Sequence, residues 1–187
     1  MNKLKDLLEE AHYQCCKRSN ISSIVLLEAY VGSKFVPQAL SAAISCFGDH
    51  HAPIHAAFSI INDENYEETV KKALEAGYRI PGWGSDFIKG ASDPVFEPLH
   101  VYLFNHHEED YYKINNITYT LHKNEKMIYP NAAMYTAVAG RILGYSAATV
   151  HFLLVECRIR GWLHTIDLYE KEGEYFFLQG AEEDSKE

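Results

Sequence analysis

Apolar side chains recur along this chain at helical rather than strand spacing. Leu4, Leu7, Leu8, Ala11 and Cys15 step by three and four, which puts them on one face of an opening helix. Asn20 and Ser22 stand where the free N–H groups of a helix start need an acceptor, predicting a second helix over 24–30 that Gly32 ends. Pro37 suits a first turn, where its missing N–H costs nothing, and opens a third helix through Cys46. After a break at Gly48-Asp49, a fourth helix covers 53–61. Asn65 with Glu68 makes a capping-box variant for a fifth, closed by Gly77.

Residues 80–90 read as a glycine-rich loop with an aromatic, Trp83, in its middle. Asp93-Pro94 places a cap and a first-turn proline at the start of the next helix. Over 108–126 the helical signal weakens, because Asn115, Asn116 and several β-branched residues disfavour a helix interior. Residues 131–143 and 146–169 read as long helices parted by Gly144, and strand-like alternation is confined to 175–178. The expectation is an all-α chain, one domain over 1–180 followed by an acidic tail at 181–187.

Composition narrows the function. With 47% apolar residues in 187, the chain can bury a real core. A formal charge of −9 without any basic stretch excludes nucleic acid as a partner, since nothing could neutralise its phosphates. No apolar run approaches the ~18 residues that span a bilayer, and residues 1–18 alternate charges with leucines, unlike a signal peptide. The expected setting is cytoplasmic, with no membrane partner. Four cysteines without a CxxC pair suit a reducing compartment, and Cys46 reads as a small buried hydrophobe. His50, His51 and His55 cluster, but the stretch lacks the metalloprotease glutamate and any evident third ligand, so no metal is expected. Ser85 forms no recognisable nucleophile motif with any histidine. Trp162 reads as core, and His106-His107 beside three acids as exposed loop.

Three ordered segments carry a resemblance. Ala39-Leu40-Ser41-Ala42-Ala43-Ile44 runs into Gly48-Asp49-His50-His51-Ala52-Pro53. Ile80-Pro81-Gly82-Trp83-Gly84-Ser85 is followed by Lys89-Gly90 and Asp93-Pro94. Tyr129-Pro130-Asn131 leads to Gly144, then Arg158 and Gly161-Trp162. These resemble, in turn, the Gly-Pro-Leu-His-Gly-Gly turn, the Pro-Gly-Phe-Gly-His loop with Asp-Pro-Arg, and the Tyr-Pro-Asn-Val-Asp helix with Arg-Val-Ala-Gly-Trp of citrate synthases and citryl-CoA lyases. Asn20-Ile21-Ser22-Ser23 is similar to the family's Asn-Ala-Ser-Thr. The likeness covers residues 17–170 and corresponds to the later half of a full-length citrate synthase, so a truncated citrate-synthase-like helical domain is expected.

The resemblance implies a chemistry and its loss together. The family joins a CoA thioester to a keto-acid, or runs a related cleavage. A carboxylate removes the thioester methyl proton, a histidine stabilises the enolate, and further histidine and arginines hold substrate carboxylates. His51 falls at the enolate-stabilising position, as a ligand-facing residue or as a plain helix cap. Ser85, Ala133, Val95 and Lys17 fall where the second histidine, the base aspartate, the clamp arginine and the first histidine belong. No counterpart of the C-terminal carboxylate-binding arginine is found near 174–180. Alanine cannot take a proton and valine cannot clamp a carboxylate.

A catalytically degenerate protein is therefore expected, a pseudoenzyme that binds a CoA-type or small carboxylate ligand, or a protein partner, as a homodimer. Its ligand-binding residues would be Gly82, Trp83, Gly84, Ser85, Lys89, Asn131 and Arg158, with no cofactor beyond CoA or an acyl-CoA as ligand. Trp83 has the alternative of plugging the core, and Lys89 that of a solvated surface charge. The rival readings are an active CoA-thioester enzyme centred on His51, and a subunit whose N-terminal half comes from another chain.

Overall fold

In the computed structural model the described residues are 2–17, 20–48, 52–85 and 88–173. They form helices α1 (Lys3–Cys16), α2 (Ile21–Ser33), α3 (Val36–Ser45), α4 (Ile54–Asn62) and α5 (Tyr66–Glu75). A short 3-10 turn (Pro94–Phe96) then leads into α6 (Glu97–His106), α7 (Glu108–Lys123), α8 (Ala132–Ile142) and α9 (Val150–Glu172). Among the described residues the only β-type pairing is a bridge between Trp83 and Pro130. The chain is all-α, as its periodicity predicts. Residues 175–178 and the 181–187 tail lie outside the described residues.

Helix α8 is the hub. Residues 133–140 are all buried, which requires neighbours on every side rather than one apolar stripe. α1, α4 and α9 supply them, and small side chains let them approach closely. A Cβ on Gly140 would lie 2.6 Å from Val150 Cγ2, and one on Gly161 2.6 Å from Cys16 Cβ. Leu4, Leu8, Ile54, Ile61, Ile114, Tyr135 and Leu153 belong to the main core. A second core joins Cys16, Leu26, Leu27, Ala39, Ala43, Trp162 and Ile166, so α9 spans both.

Several local expectations change once packing is known. Gly32 lies inside α2, and Lys34 ends the helix instead, at φ 53°. That left-handed cost is offset by its N–H bond to Tyr30 O, an ion pair with Glu170, and the rings of Tyr30 and Tyr169 beneath its ammonium. The Asn65–Glu68 box does not form, because Asn65 makes no side-chain cap. Asp63 takes that role, accepting from the Asn65 N–H and the Thr69 hydroxyl. Within the weak 108–126 segment, Glu108–Lys123 form a regular 16-residue helix. Its Asn115, Thr118 and Thr120 side chains donate back to carbonyls one turn earlier, while Ile114, Ile117 and Leu121 are buried. α9 starts at Val150, after a turn in which the Ser146 N–H donates to Thr149 Oγ1. Cys46 is only half-buried; Cys15, Cys16 and Cys157 are the buried thiols.

Candidate functional site

The Pro81-Gly82-Trp83-Gly84 loop is tied to the approach of α8. Gly84 N–H donates to Tyr129 O at 2.8 Å, and Asn131 N–H to Gly82 O at 2.9 Å. Asn131 then works at both ends of its amide: Nδ2 donates to Gly84 O at 2.7 Å, and Oδ1 accepts from Ala133 N–H to cap α8. Gly82 and Gly84 both sit at φ 90°, a backbone conformation that other residues rarely adopt. A Cβ on Gly82 would also meet Met134 at 2.8 Å. Trp83 is buried, with its indole N–H on Thr118 Oγ1 at 2.9 Å. Its ring plugs the core beneath the loop.

Between this loop, the start of α8 and the middle of α9 lies a cleft of about 860 Å³. Gly82, Trp83, Gly84, Ser85, Lys89, Asn131 and Arg158, all nominated from sequence, line it together. His51 and its neighbours Asp49 and His50 lie outside the described residues; Ala52 and Pro53, which follow them, also line the cleft. Ser85 is exposed and its Oγ accepts from Ile88 N–H at 3.3 Å. Lys89 is exposed, and Arg79 and Lys126 join it in the lining.

The floor is electrically unusual. Arg158 is only 5% exposed and forms no ion pair among the described residues. Its Nε donates to His12 Nδ1 at 3.3 Å and its Nη1 to Ser22 Oγ at 3.0 Å, and the Phe47 ring lies 5.5 Å from its central carbon. Ser22 in turn donates to Asn20 Oδ1, and Asn20 Nδ2 to Cys15 O, so the Asn-Ile-Ser-Ser segment stitches α1 to α2 and steadies the guanidinium. Taking an unpaired charge out of water costs several kcal/mol. Neutral dipoles and a ring offset only part of that.

The other family positions carry no equivalent groups. Ala133 is buried on the first turn of α8 and borders the cleft with a side chain that carries no proton acceptor. Val95 packs on the main core, and Lys17 is exposed with its ammonium 4.5 Å over the Tyr13 ring. Asp93 is the one carboxylate in the described lining, and its Oδ1 accepts from Val95 N–H as a turn cap. Among the described residues no group of three or more His, Cys, Asp or Glu is placed to hold a metal. No helix there is long and apolar enough to cross a membrane.

Sequence reading overlooked His12, Thr136, Ser22 as a partner of Arg158, and Lys126. For His12 a signal existed: it follows Leu4 and Leu8 at four-residue steps, a titratable ring within an apolar stripe. Lys126 carried none.

A glycine-rich loop and a capped central helix set beside a buried arginine define an all-α domain with a cleft at their junction. The chain belongs to the citrate synthase family: residues 38–173 match the family described as citrate synthase, C-terminal domain. It is similar in structure to citryl-CoA lyase from Hydrogenobacter thermophilus, with a TM-score of 0.72 and 17% identity, over 94% of this chain and 73% of that one. It is similar likewise to citrate synthase from Thermotoga maritima MSB8, with a TM-score of 0.72 and 23% identity, over 92% of this chain and 51% of that one. The chain thus spans about half the length of that synthase. Comparison with curated proteins finds no match.

Proposed function

We propose that this protein is a catalytically silent member of the citrate synthase family that binds a small carboxylate, alone or as the acid end of a CoA-type ligand, in the cleft above Arg158. The observation that carries this reading is the Arg158 guanidinium in the cleft wall, buried and without an ion pair among the described residues. A carboxylate is the anion whose two oxygens match a guanidinium edge, and its arrival would neutralise a charge that the fold otherwise buries at a cost. Arg79, Lys89 and Lys126 in the lining support a longer ligand with a second anionic end. Catalytic silence rests on Ala133, Ser85 and Val95, none of which can supply proton abstraction or a carboxylate clamp. A protein partner in place of a small molecule has no comparable feature behind it.

Binding to the folded state raises the melting temperature by mass action, so a thermal-shift series with citrate, oxaloacetate, acetyl-CoA and CoA tests the reading. At least one carboxylate ligand should stabilise the protein. Arg158→Gln should weaken it by about 1.5–3 kcal/mol, the range for a hydrogen bond to a charged group, roughly ten- to hundredfold in affinity. Ligands that shift wild type and Arg158→Gln equally would place the binding elsewhere. The rival, an active thioester enzyme on His51, requires turnover that His51→Ala abolishes.

A further inference from the structure

Thr136 carries a single hydroxyl proton, and that proton goes to Ala132 O at 2.7 Å. The Thr136 oxygen therefore accepts from His12 Nε2 at 2.7 Å, which puts the imidazole proton on Nε2. Arg158 Nε can only donate, so His12 Nδ1, 3.3 Å away, is bare. Both ring nitrogens are thus assigned by neighbours whose roles are chemically forced. His12 is fully enclosed, with the Phe96 ring edge-on at 6.0 Å. On the other side, Ser22 donates its own proton to Asn20 and accepts from Arg158 Nη1. Two of the three guanidinium nitrogens are held, and Nη2 has no hydrogen-bond partner among the described residues.

We propose that His12, as a neutral ring protonated on Nε2, is a positioning residue that fixes Arg158 so that Nη2 presents its donors to the cleft. This rests on the reading of Arg158 as the anion anchor, which His12 serves without touching the ligand. Burial and the adjacent Arg158 charge both depress the His12 pKa, so the ring stays an acceptor through the neutral range. An imidazolium there would have no lone pair for Nε and would set two cations against each other. The guanidinium is held from α1 and α2, although it is carried on α9. Its aim therefore depends on the packing of three helices.

The test is nitrogen-15 NMR on the full chain without ligand. His12 should show one protonated and one bare ring nitrogen, Nε2 and Nδ1 respectively. A scalar coupling across the hydrogen bond should link Nδ1 to Arg158 Nε. His12→Asn, whose amide oxygen can reach the Nδ1 position, should keep the Arg158 Nε–H slowly exchanging; His12→Leu, matched for packing alone, should lose that protection and bind citrate on the order of tenfold more weakly. A proton on Nδ1, or equal Arg158 protection in wild type and His12→Leu, would overturn the proposal. If neither variant folds, the wild-type spectrum alone decides. Failure of the anchor reading looks different: citrate binds Arg158→Gln as well as wild type, while the His12 to Arg158 coupling stands.

Discussion

Two helical glycines should respond to alanine in opposite directions. A methyl at Gly32, in α2, would meet nothing within 4 Å. Only the backbone term remains, and Gly32→Ala should stabilise by about 0.4–1 kcal/mol by restricting the unfolded chain. A methyl at Gly161, in α9, would lie 2.6 Å from Cys16 Cβ, 2.8 Å from Cys16 Sγ and 3.3 Å from Tyr13 Cα. Unstrained carbon contacts need about 3.5–4.0 Å, so the closest one is short by roughly 1 Å. Two of the obstructing atoms are fixed to the α1 backbone and cannot rotate away. The helices must separate. Overpacking costs about 1–3 kcal/mol, with this site towards the upper end, against a gain near 1 kcal/mol from the better helix former. Gly161→Ala should therefore lose about 1–2 kcal/mol. In a chain of this size 1 kcal/mol moves the melting temperature by roughly 2–4 °C, so the two variants should fall on opposite sides of wild type. Thermal melts and urea titrations with unchanged slopes would measure both. Because Arg158 and His12 sit within a turn of this contact, Gly161→Ala should also weaken Arg158 Nε–H protection. A rise in stability for Gly161→Ala equal to that of Gly32→Ala would refute the close approach of α1 and α9.

Citrate synthase activity should be undetectable: thiol release from acetyl-CoA with oxaloacetate should match a protein-free control, and turnover lost in His51→Ala would contradict this. CoA itself should bind weakly, with Kd no better than the high-micromolar range or about −5 to −6 kcal/mol, because the whole chain carries −9 and only scattered cations face the ligand. Calorimetry should show further loss in Lys89→Ala and Gly84→Val; nanomolar affinity, or indifference to both changes, would move the site elsewhere. Stability should decline as pH falls below about 6.5, since burial depresses His12, His100 and His151 below that ordinary value and the unfolded chain then takes up more protons than the folded one. His12, the fully buried one, dominates, contributing up to about 1.4 kcal/mol per pH unit that is fully present above 6.5 and lost below it; urea titrations at pH 7, 6 and 5 should show His12→Asn with the shallower dependence, and parallel slopes would contradict the burial of a neutral ring. A homodimer is expected from the apolar residues that α2 and α9 leave exposed, among them Ile21, Ile24, Val31, Phe152 and Leu163; light scattering at micromolar concentration giving a single 21.3 kDa chain would rule it out.

Most of the helices were readable from local pattern, because apolar spacing and caps act within one turn. Asn20, Pro37, Asp93 and Asn131 start helices where their side-chain chemistry says they should. The segment that misled was 108–126, where poor helix formers are overruled by the burial of Ile114, Ile117 and Leu121. Propensity amounts to tenths of a kcal/mol per residue, whereas each buried aliphatic side chain contributes about 1.5–3 kcal/mol. Gly32 misled in the other direction, since contacts from α9, remote in sequence, favour ending the helix at Lys34.

The loop and cap motifs that led to Gly82, Gly84 and Asn131 could be found in the linear chain because a positive φ and a helix start are local demands. The floor of the cleft could not. Arg158 acquires its character from His12 and Ser22, separated from it by 146 and 136 positions, and from the lack of an ion-pairing carboxylate among the described residues. Hydrogen-bond partnership and dielectric environment are properties of assembled neighbours. A residue's own identity says that it can be charged or neutral, donor or acceptor; only the packing of α1, α2 and α9 makes His12 a bare-Nδ1 acceptor and Arg158 a buried cation.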